Sequence, residues 1–119
     1  MVQLADIGDG EFLDKSARFL TSKKAAQLRC TYLKAGDILI ARMPDPLGRA
    51  CVFPEGQGPS VTVVDICIVR PDRERVWPRW LLHKINSQSF RQSIHDWITG
   101  ATRQRISRGN LAKIEFALP

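Results

Sequence analysis

Residues 33–42 read LKAGDILIAR, and this stretch decides the fold. Lys34 to Asp37 are polar or small residues with a glycine among them, a composition typical of a turn. Ile38 to Arg42 follow, and they are apolar except for the last residue. An unbroken apolar run of this length after a turn predicts a strand that is buried on both faces.

A second strand is predicted at Arg49 to Phe53, after a loop at Met43 to Gly48. The loop contains two prolines, which cannot donate hydrogen bonds to a sheet. Successive side chains of a strand point to opposite faces. We therefore expect one face to carry Ala50 with Val52 and the other to carry Cys51 with Phe53.

Further segments have the composition of strands. Val61 to Val64 and Ile66 to Val69 are rich in β-branched residues, and Asp65 between them predicts a bend or a bulge. Lys113 to Leu118 alternates between polar and apolar residues, which predicts a strand that closes the chain. Gln104 to Ile106 fits a shorter strand.

Helical patterns fill most of the remaining chain. Thr21 to Arg29 begins with a capping residue and continues with good helix formers, so it predicts a short helix. Two longer helices are predicted from near Pro78 and from near Ser87, with Gly100 as a C-terminal cap of the second. Ser107 can cap one last turn. The apolar stripes of the two longer helices are Trp77, Leu81 and Ile85, and then Phe90, Ile94, Trp97 and Ile98. The three tryptophans could stack on bases, but Trp77 and Trp97 lie on these stripes, which favours packing in the core, while Trp80 lies off them.

These elements predict one α+β domain over residues 1–119, with a twisted, mostly antiparallel sheet and a helical pair. Hydrophobic residues make up 44% of the chain and charged residues 25%, which is typical of a globular protein. No apolar run approaches the roughly 20 residues of a membrane helix, and no secretory signal is seen, so we expect a cytoplasmic protein.

The net charge of +6 lies in the second half of the chain. Residues 1–69 hold eight basic and eight acidic side chains, whereas residues 70–119 hold ten basic and four acidic ones. The excess is either a solvated face or a surface for a polyanion, and a pI near 9.7 favours the polyanion.

Motifs for catalysis and metal binding are not found in the sequence. Cys30, Cys51 and Cys67 form no close pair, so they predict reduced thiols rather than a zinc site. His83 and His95 lie on predicted helices beside tryptophans. This position favours histidines at the edge of the core over catalytic bases. The acidic residues of Pro71 to Arg75 superficially resemble a metal-dependent nuclease motif, but they lie on a charged turn. We expect no catalytic residue and no cofactor.

The strongest constellation for binding is Gly100 to Arg108, which holds three arginines, two hydroxyls and an amide within nine residues. Arginine binds phosphates or the paired acceptors of guanine, and glutamine pairs with adenine. The alternative is a solvated turn whose glycine caps a helix. The predicted DNA-binding residues are Thr102, Arg103, Gln104, Arg105 and Arg108, with Arg42 and Arg49 of the earlier loop as a second group.

The chain also resembles a known family in several ordered pieces. Residues 33–42 with Gly48 and Arg49 resemble the "gDill" strand region of the specificity subunits of type I restriction-modification systems. Residues 81–87 with Phe90 and Arg91 resemble the helical pair of their target-recognition domains. The middle of that domain is matched by Ile7, Asp9 and Gly10, and its ending by residues 100–103, Ile106, Ser107, Leu111, Ile114, Leu118 and Pro119.

This resemblance implies a non-catalytic module that reads one half of a split site in double-stranded DNA. It also implies two partners, a methylating subunit that uses S-adenosylmethionine and a motor-nuclease restriction subunit. The family's usual opening segment and its long spacer helix are absent from this sequence, so we expect a chain truncated at both ends that can self-associate. The alternatives are a remnant that acts only through protein–protein or self association, and a small nuclease.

Overall fold

A three-stranded antiparallel sheet lies at the centre of the computed structural model, which describes residues 1–14, 23–24, 32–43, 47–57, 59–62, 66–72, 74–98 and 106–115. Its strands are β1 (Ile38–Ala41), β2 (Ala50–Val52) and β3 (Ile66–Val69). They lie in the order β2-β1-β3, and β1 pairs antiparallel with both neighbours. The antiparallel sheet and the helices that follow it confirm the predicted α+β class.

Both faces of β1 are covered, as its apolar sequence predicted. Ile38 and Ile40 belong to a helix-side cluster, which consists of Ile38, Ile40, Ala50, Leu81, Leu82, Ile85, Phe90, Ile94, Ile106 and Leu111. Leu39 belongs to a cluster on the opposite face of the sheet, which consists of Val2, Ile7, Leu33, Leu39, Cys51, Phe53 and Ile66. The predicted faces of β2 are also confirmed, because Ala50 and Val52 contact the first cluster while Cys51 and Phe53 lie in the second.

The turn between β1 and β2 depends on Gly48. Its backbone N–H donates to the carbonyl of Ala41 at 2.9 Å, and its φ is +85°, a conformation that side chains with a Cβ adopt only under strain. A Cβ placed on this residue would lie 2.6 Å from Cδ1 of Ile94. Glycine is therefore required here both by backbone conformation and by the close approach of a helix.

A helical pair packs on one face of the sheet. Helix α1 is Pro78–Ile85 and helix α2 is Gln88–Ile98. Pro78 occupies the first turn of α1, where its missing N–H leaves no gap in the hydrogen bonding. The hydroxyl of Ser87 accepts from the N–H of Phe90 at 3.3 Å and so serves the first turn of α2. Both predicted helices are confirmed where they begin, while the predicted cap of the second at Gly100 lies outside the described residues.

A short helix, α3 (Arg108–Ala112), follows the pair. The Ser107 hydroxyl accepts a hydrogen bond from the Asn110 N–H at 3.1 Å, which confirms the predicted cap. Leu111 is buried in the helix-side cluster and holds this turn against the sheet.

The burial expected for two tryptophans is wrong. Trp77 is 80% exposed and Trp97 is 45% exposed, whereas Trp80, which lies off the predicted stripe, is half-buried against the helix-side cluster. Trp77 precedes Pro78 and has an extended backbone (φ −77°, ψ 130°). The period of a helix therefore does not apply to it.

Two strand predictions are corrected. Val61 and Thr62 form only isolated bridges, to Tyr32 and to Val2. Lys113 to Glu115, the described part of the predicted closing strand, is not in a strand because Lys113 caps the end of α3 in a helical conformation. Within the predicted helix at residues 21–29, Lys23 and Lys24 are helical, and the other positions lie outside the described residues, as Gly100 does.

Candidate nucleic-acid interface

The strongest predicted DNA-binding segment starts and ends at packed parts of the fold. Thr102, Arg103, Gln104 and Arg105 lie outside the described residues, and of Arg108 only the helical backbone is described. Before the segment, α2 extends to Ile98 with Ile94 buried in the core. After it, Ile106 is 1% exposed and belongs to the helix-side cluster. The segment therefore connects two fixed points.

A backbone hydrogen bond joins the two predicted groups of binding residues. The N–H of Ile106 donates to the carbonyl oxygen of Arg42 at 3.1 Å. Arg42 directly follows β1, and Ile106 directly follows the 102–105 segment. The end of that segment is thus held beside the end of the central strand. A binding segment attached to a rigid scaffold in this way loses less conformational freedom when it meets a ligand.

Arg42 and Arg49 themselves are buried, at 5% and 7% exposure. The guanidinium of Arg49 donates to the carbonyls of Ile7 at 2.7 Å, Leu4 at 2.8 Å and Met43 at 3.3 Å. These bonds tie the N-terminal segment to the β1–β2 turn, which gives Arg49 a role in the fold. The DNA contact predicted for these two arginines stays a prediction.

Four of the residues that carried the family resemblance, Asp9, Gly10, Asn86 and Arg91, meet around Ala50 of β2. We call these five residues the motif junction. The side-chain amide of Asn86 accepts from the Ala50 N–H at 2.9 Å and donates to the Ala50 carbonyl at 3.0 Å. That carbonyl also accepts from the Gly10 N–H at 2.8 Å. Arg91 donates to Asp9 at 2.9 Å and to Asn86 at 3.1 Å.

The motif junction is a packing device rather than an open site. Its hydrogen bonds join three segments that are far apart in the sequence: the N-terminal segment, β2 and the link between the helices. Sequence reasoning noticed these residues only through the resemblance, because a side-chain amide that pairs with a strand has no local sequence pattern.

A second positively charged surface was missed by the sequence analysis. It is formed by Arg75, Trp77, Arg79 and His83, which are all exposed, and we call it the α1 surface. No aspartate or glutamate occurs between Glu74 and Asp96, a span of twenty-one residues. This surface could have been predicted from the long stretch without a carboxylate. The charge count over residues 70–119 hid that stretch because it gave only a total.

The cysteines in the described ranges are thiols. Cys51 and Cys67 are both reduced, while Cys30 lies outside the described residues. Cys51 is fully buried, and loss of solvation raises its pKa from 9.0 to about 12, an effect that the nearby positive charge of Arg49 opposes. A thiol with this pKa is protonated at neutral pH and is a poor nucleophile.

Comparisons with known proteins add no family to this picture. No protein-family model matches the chain, and no curated protein shows significant sequence similarity to it. Within the described ranges, no group of three or more histidine, cysteine or acidic side chains is arranged to hold a metal ion. None of the helices in those ranges has the length and apolar character needed to cross a membrane.

Proposed function

We propose that this chain recognises a specific sequence in double-stranded DNA and has no catalytic role of its own. In this proposal it acts as one half of a specificity subunit of a type I restriction-modification system. Its partners are the methylating subunit and the restriction subunit of that system. The DNA is bound by Thr102, Arg103, Gln104, Arg105 and Arg108, with Arg103 and Gln104 at base edges and Arg105 and Arg108 at phosphates.

The observation that carries the proposal is the hydrogen bond between Ile106 and Arg42. It holds Ile106, the residue that follows Arg105, beside the end of the central strand, in the part of the chain that carries the whole excess of positive charge. Sequence-specific binding needs side chains that bind the edges of bases, and phosphate contacts that hold the protein in register on the duplex. Arg103 and Gln104 have the chemistry for base edges, and the basic residues of 70–119 have the charge for phosphates.

The test is selection of bound sequences from a random duplex library by the chain, followed by affinity measurements on the selected site. Arg103→Ala and Gln104→Ala are each expected to weaken binding to that site by about 1–3 kcal/mol and to relax preference at one base pair. Lys34→Ala, which removes an exposed charge from the neutral half, serves as the control and should keep the preference.

Two results would contradict the proposal. One is a selected pool without any common sequence. The other is that Arg103→Ala and Gln104→Ala both retain the affinity and the preference of the unmodified chain. The proposed partners are tested by a separate experiment. A complete type I complex that contains the chain should methylate the selected site.

A further inference from the structure

Trp77 is exposed in a way that packing does not explain. Its neighbour Val76 packs against the helix-side cluster, whereas Arg75 and Trp77, on either side of Val76 in the sequence, are both exposed. The backbone at Trp77 is extended, and its carbonyl accepts the first helical hydrogen bond of α1, from the N–H of Leu81 at 3.0 Å. The start of the helix therefore fixes the backbone at Trp77.

The basic side chains of the α1 surface continue along the same helix. Arg79 and His83 are four residues apart, which places them on one face of α1, and both are exposed. Leu81, Leu82 and Ile85 lie on the buried face. Within the described ranges, the guanidinium groups of Arg75 and Arg79 form no ion pair. The ion pairs there join Arg70 to Asp37 and Arg91 to Asp9.

We propose that the α1 surface binds the sugar–phosphate backbone of duplex DNA, in addition to the contacts proposed above for Arg103 and Gln104. Arg75 and Arg79 bind phosphates, and Trp77 packs its ring on the deoxyribose between them. This inference rests on the proposed function and extends it, because it assigns a second contact that is independent of sequence.

The composition of the surface favours DNA over two other partners. A membrane-surface helix needs a broad exposed apolar face, whereas the apolar residues of α1 are buried and Trp77 is a single large exposed ring. A protein interface is depleted of charge at its centre. Exposed arginines two residues before and two residues after an exposed aromatic residue fit a polyanion in which charged phosphates alternate with partly apolar sugars.

The experiment measures the affinity of the full chain for duplexes of selected and unrelated sequence between 50 and 200 mM salt. Arg75→Ala and Arg79→Ala should each lower the slope of log affinity against log salt by about one. Trp77→Ala should weaken binding about tenfold at every salt concentration without changing the slope, and Trp77→Phe should restore most of the loss. These effects should be equal on all sequences.

Matched controls separate this surface from general effects. Trp97→Ala removes another exposed ring, one that lies under Lys113, whose ammonium is 5.7 Å from the ring centroid. Lys34→Ala removes one charge from the neutral half. Both variants should bind within about twofold of the unmodified chain, and all the variants should keep its thermal midpoint because the replaced side chains are exposed.

The outcomes distinguish the two proposals. If Arg103→Ala impairs binding while Trp77→Ala and Arg79→Ala bind normally, the proposed function stands and the α1 surface is not a DNA contact. If the unmodified chain binds no duplex, both proposals fail. Two further results would overturn the inference if Trp77→Ala leaves DNA affinity unchanged. One is that the chain binds vesicles of phosphatidylserine and phosphatidylcholine through Trp77. The other is that it self-associates through Trp77, as measured by light scattering.

Discussion

Arg49 illustrates how a single charged residue can hold distant segments together. Its guanidinium satisfies carbonyls at both Leu4 and Ile7, so replacing it with methionine leaves buried acceptors without their donor. We expect Arg49→Met to lower the free energy of unfolding by about 2–4 kcal/mol. Arg49→Lys should recover only part of the loss, because an ammonium cannot reach two acceptors with a planar fork.

Urea unfolding measures this effect, with the midpoint shifting at constant slope. Arg79→Met, at an exposed arginine, is the matched control and should change stability by less than about 0.5 kcal/mol. Unchanged stability of Arg49→Met together with weaker duplex binding would show that Arg49 is a DNA ligand instead of a structural residue.

Cys51 makes the stability of the folded chain depend on pH in the alkaline range. Burial raises the pKa of its thiol to about 12 in the folded chain, so the unfolded thiol ionises first as pH rises. Its contribution to stability is fully present below pH 9 and is lost between pH 9 and about 12, by up to about 1.4 kcal/mol for each pH unit. Cys51→Ala lacks this titration.

The measurement compares the free energy of unfolding of the unmodified chain and of Cys51→Ala at pH 8, 9.5 and 10.5. The difference between the two proteins should shift in favour of Cys51→Ala as the pH rises. Parallel pH profiles would show that the thiol ionises equally well in the folded chain.

The contact between the β1–β2 turn and α2 can be tested by comparing alanine substitutions at two glycines. Gly48 and Gly56 have similar positive φ values, +85° and +83°, but a Cβ on Gly56 would meet no atom within 4 Å. Gly56→Ala therefore measures backbone strain alone, about 1–2 kcal/mol. Gly48→Ala should lose about 1 kcal/mol more, because its Cβ displaces the buried Ile94.

The substitution Ile94→Val removes the Cδ1 atom that lies in the way of that Cβ. In the Gly48→Ala background it should therefore be less destabilising than in the unmodified chain, as a double-mutant cycle by urea unfolding would measure. Additive effects of the two substitutions would show that the turn and the helix are not in direct contact at this point.

The regular elements were predictable where one periodicity extended over the whole element. β1, β2, β3 and the helical pair were predicted from runs of apolar residues, and Ser107 from its capping chemistry. Trp77 was mispredicted because an extended residue before a proline was counted in a helical stripe. The alternation at Lys113 to Leu118 likewise gave no warning that Lys113 ends a helix.

The candidate site was less predictable than the fold. Arginines are attractive candidates for DNA contacts in any sequence, yet the sequence does not reveal that Arg42 and Arg49 are buried. The guanidinium of Arg49 binds the carbonyls of Leu4 and Ile7, which lie more than forty positions away in the sequence. Such long-range partners leave no mark in the local pattern, and the same holds for Asn86 and Ala50.

For the whole molecule, the uneven charge predicts a strong dependence of DNA binding on salt. Residues 70–119 carry ten basic and four acidic side chains. If about six phosphates are contacted, affinity for duplex DNA should fall by about 10³-fold between 50 and 200 mM salt, because condensed counterions are released on binding. Fluorescence anisotropy with a labelled duplex measures the slope, and an affinity that does not change with salt would contradict a phosphate-binding surface.

The pairing of Asn86 with Ala50 has a consequence for the aggregation of the protein. β2 is an outer strand of the sheet, and the outward N–H and carbonyl of Ala50 are the groups through which a strand from another chain would add to it. The amide of Asn86 occupies both, as one residue of a neighbouring strand would. Asn86→Ala should therefore produce aggregates that grow with protein concentration and bind amyloid dyes, at temperatures where the monomer is still folded. The asparagine then acts, together with the Gly10 N–H that also donates to the Ala50 carbonyl, to block the addition of a strand from another molecule.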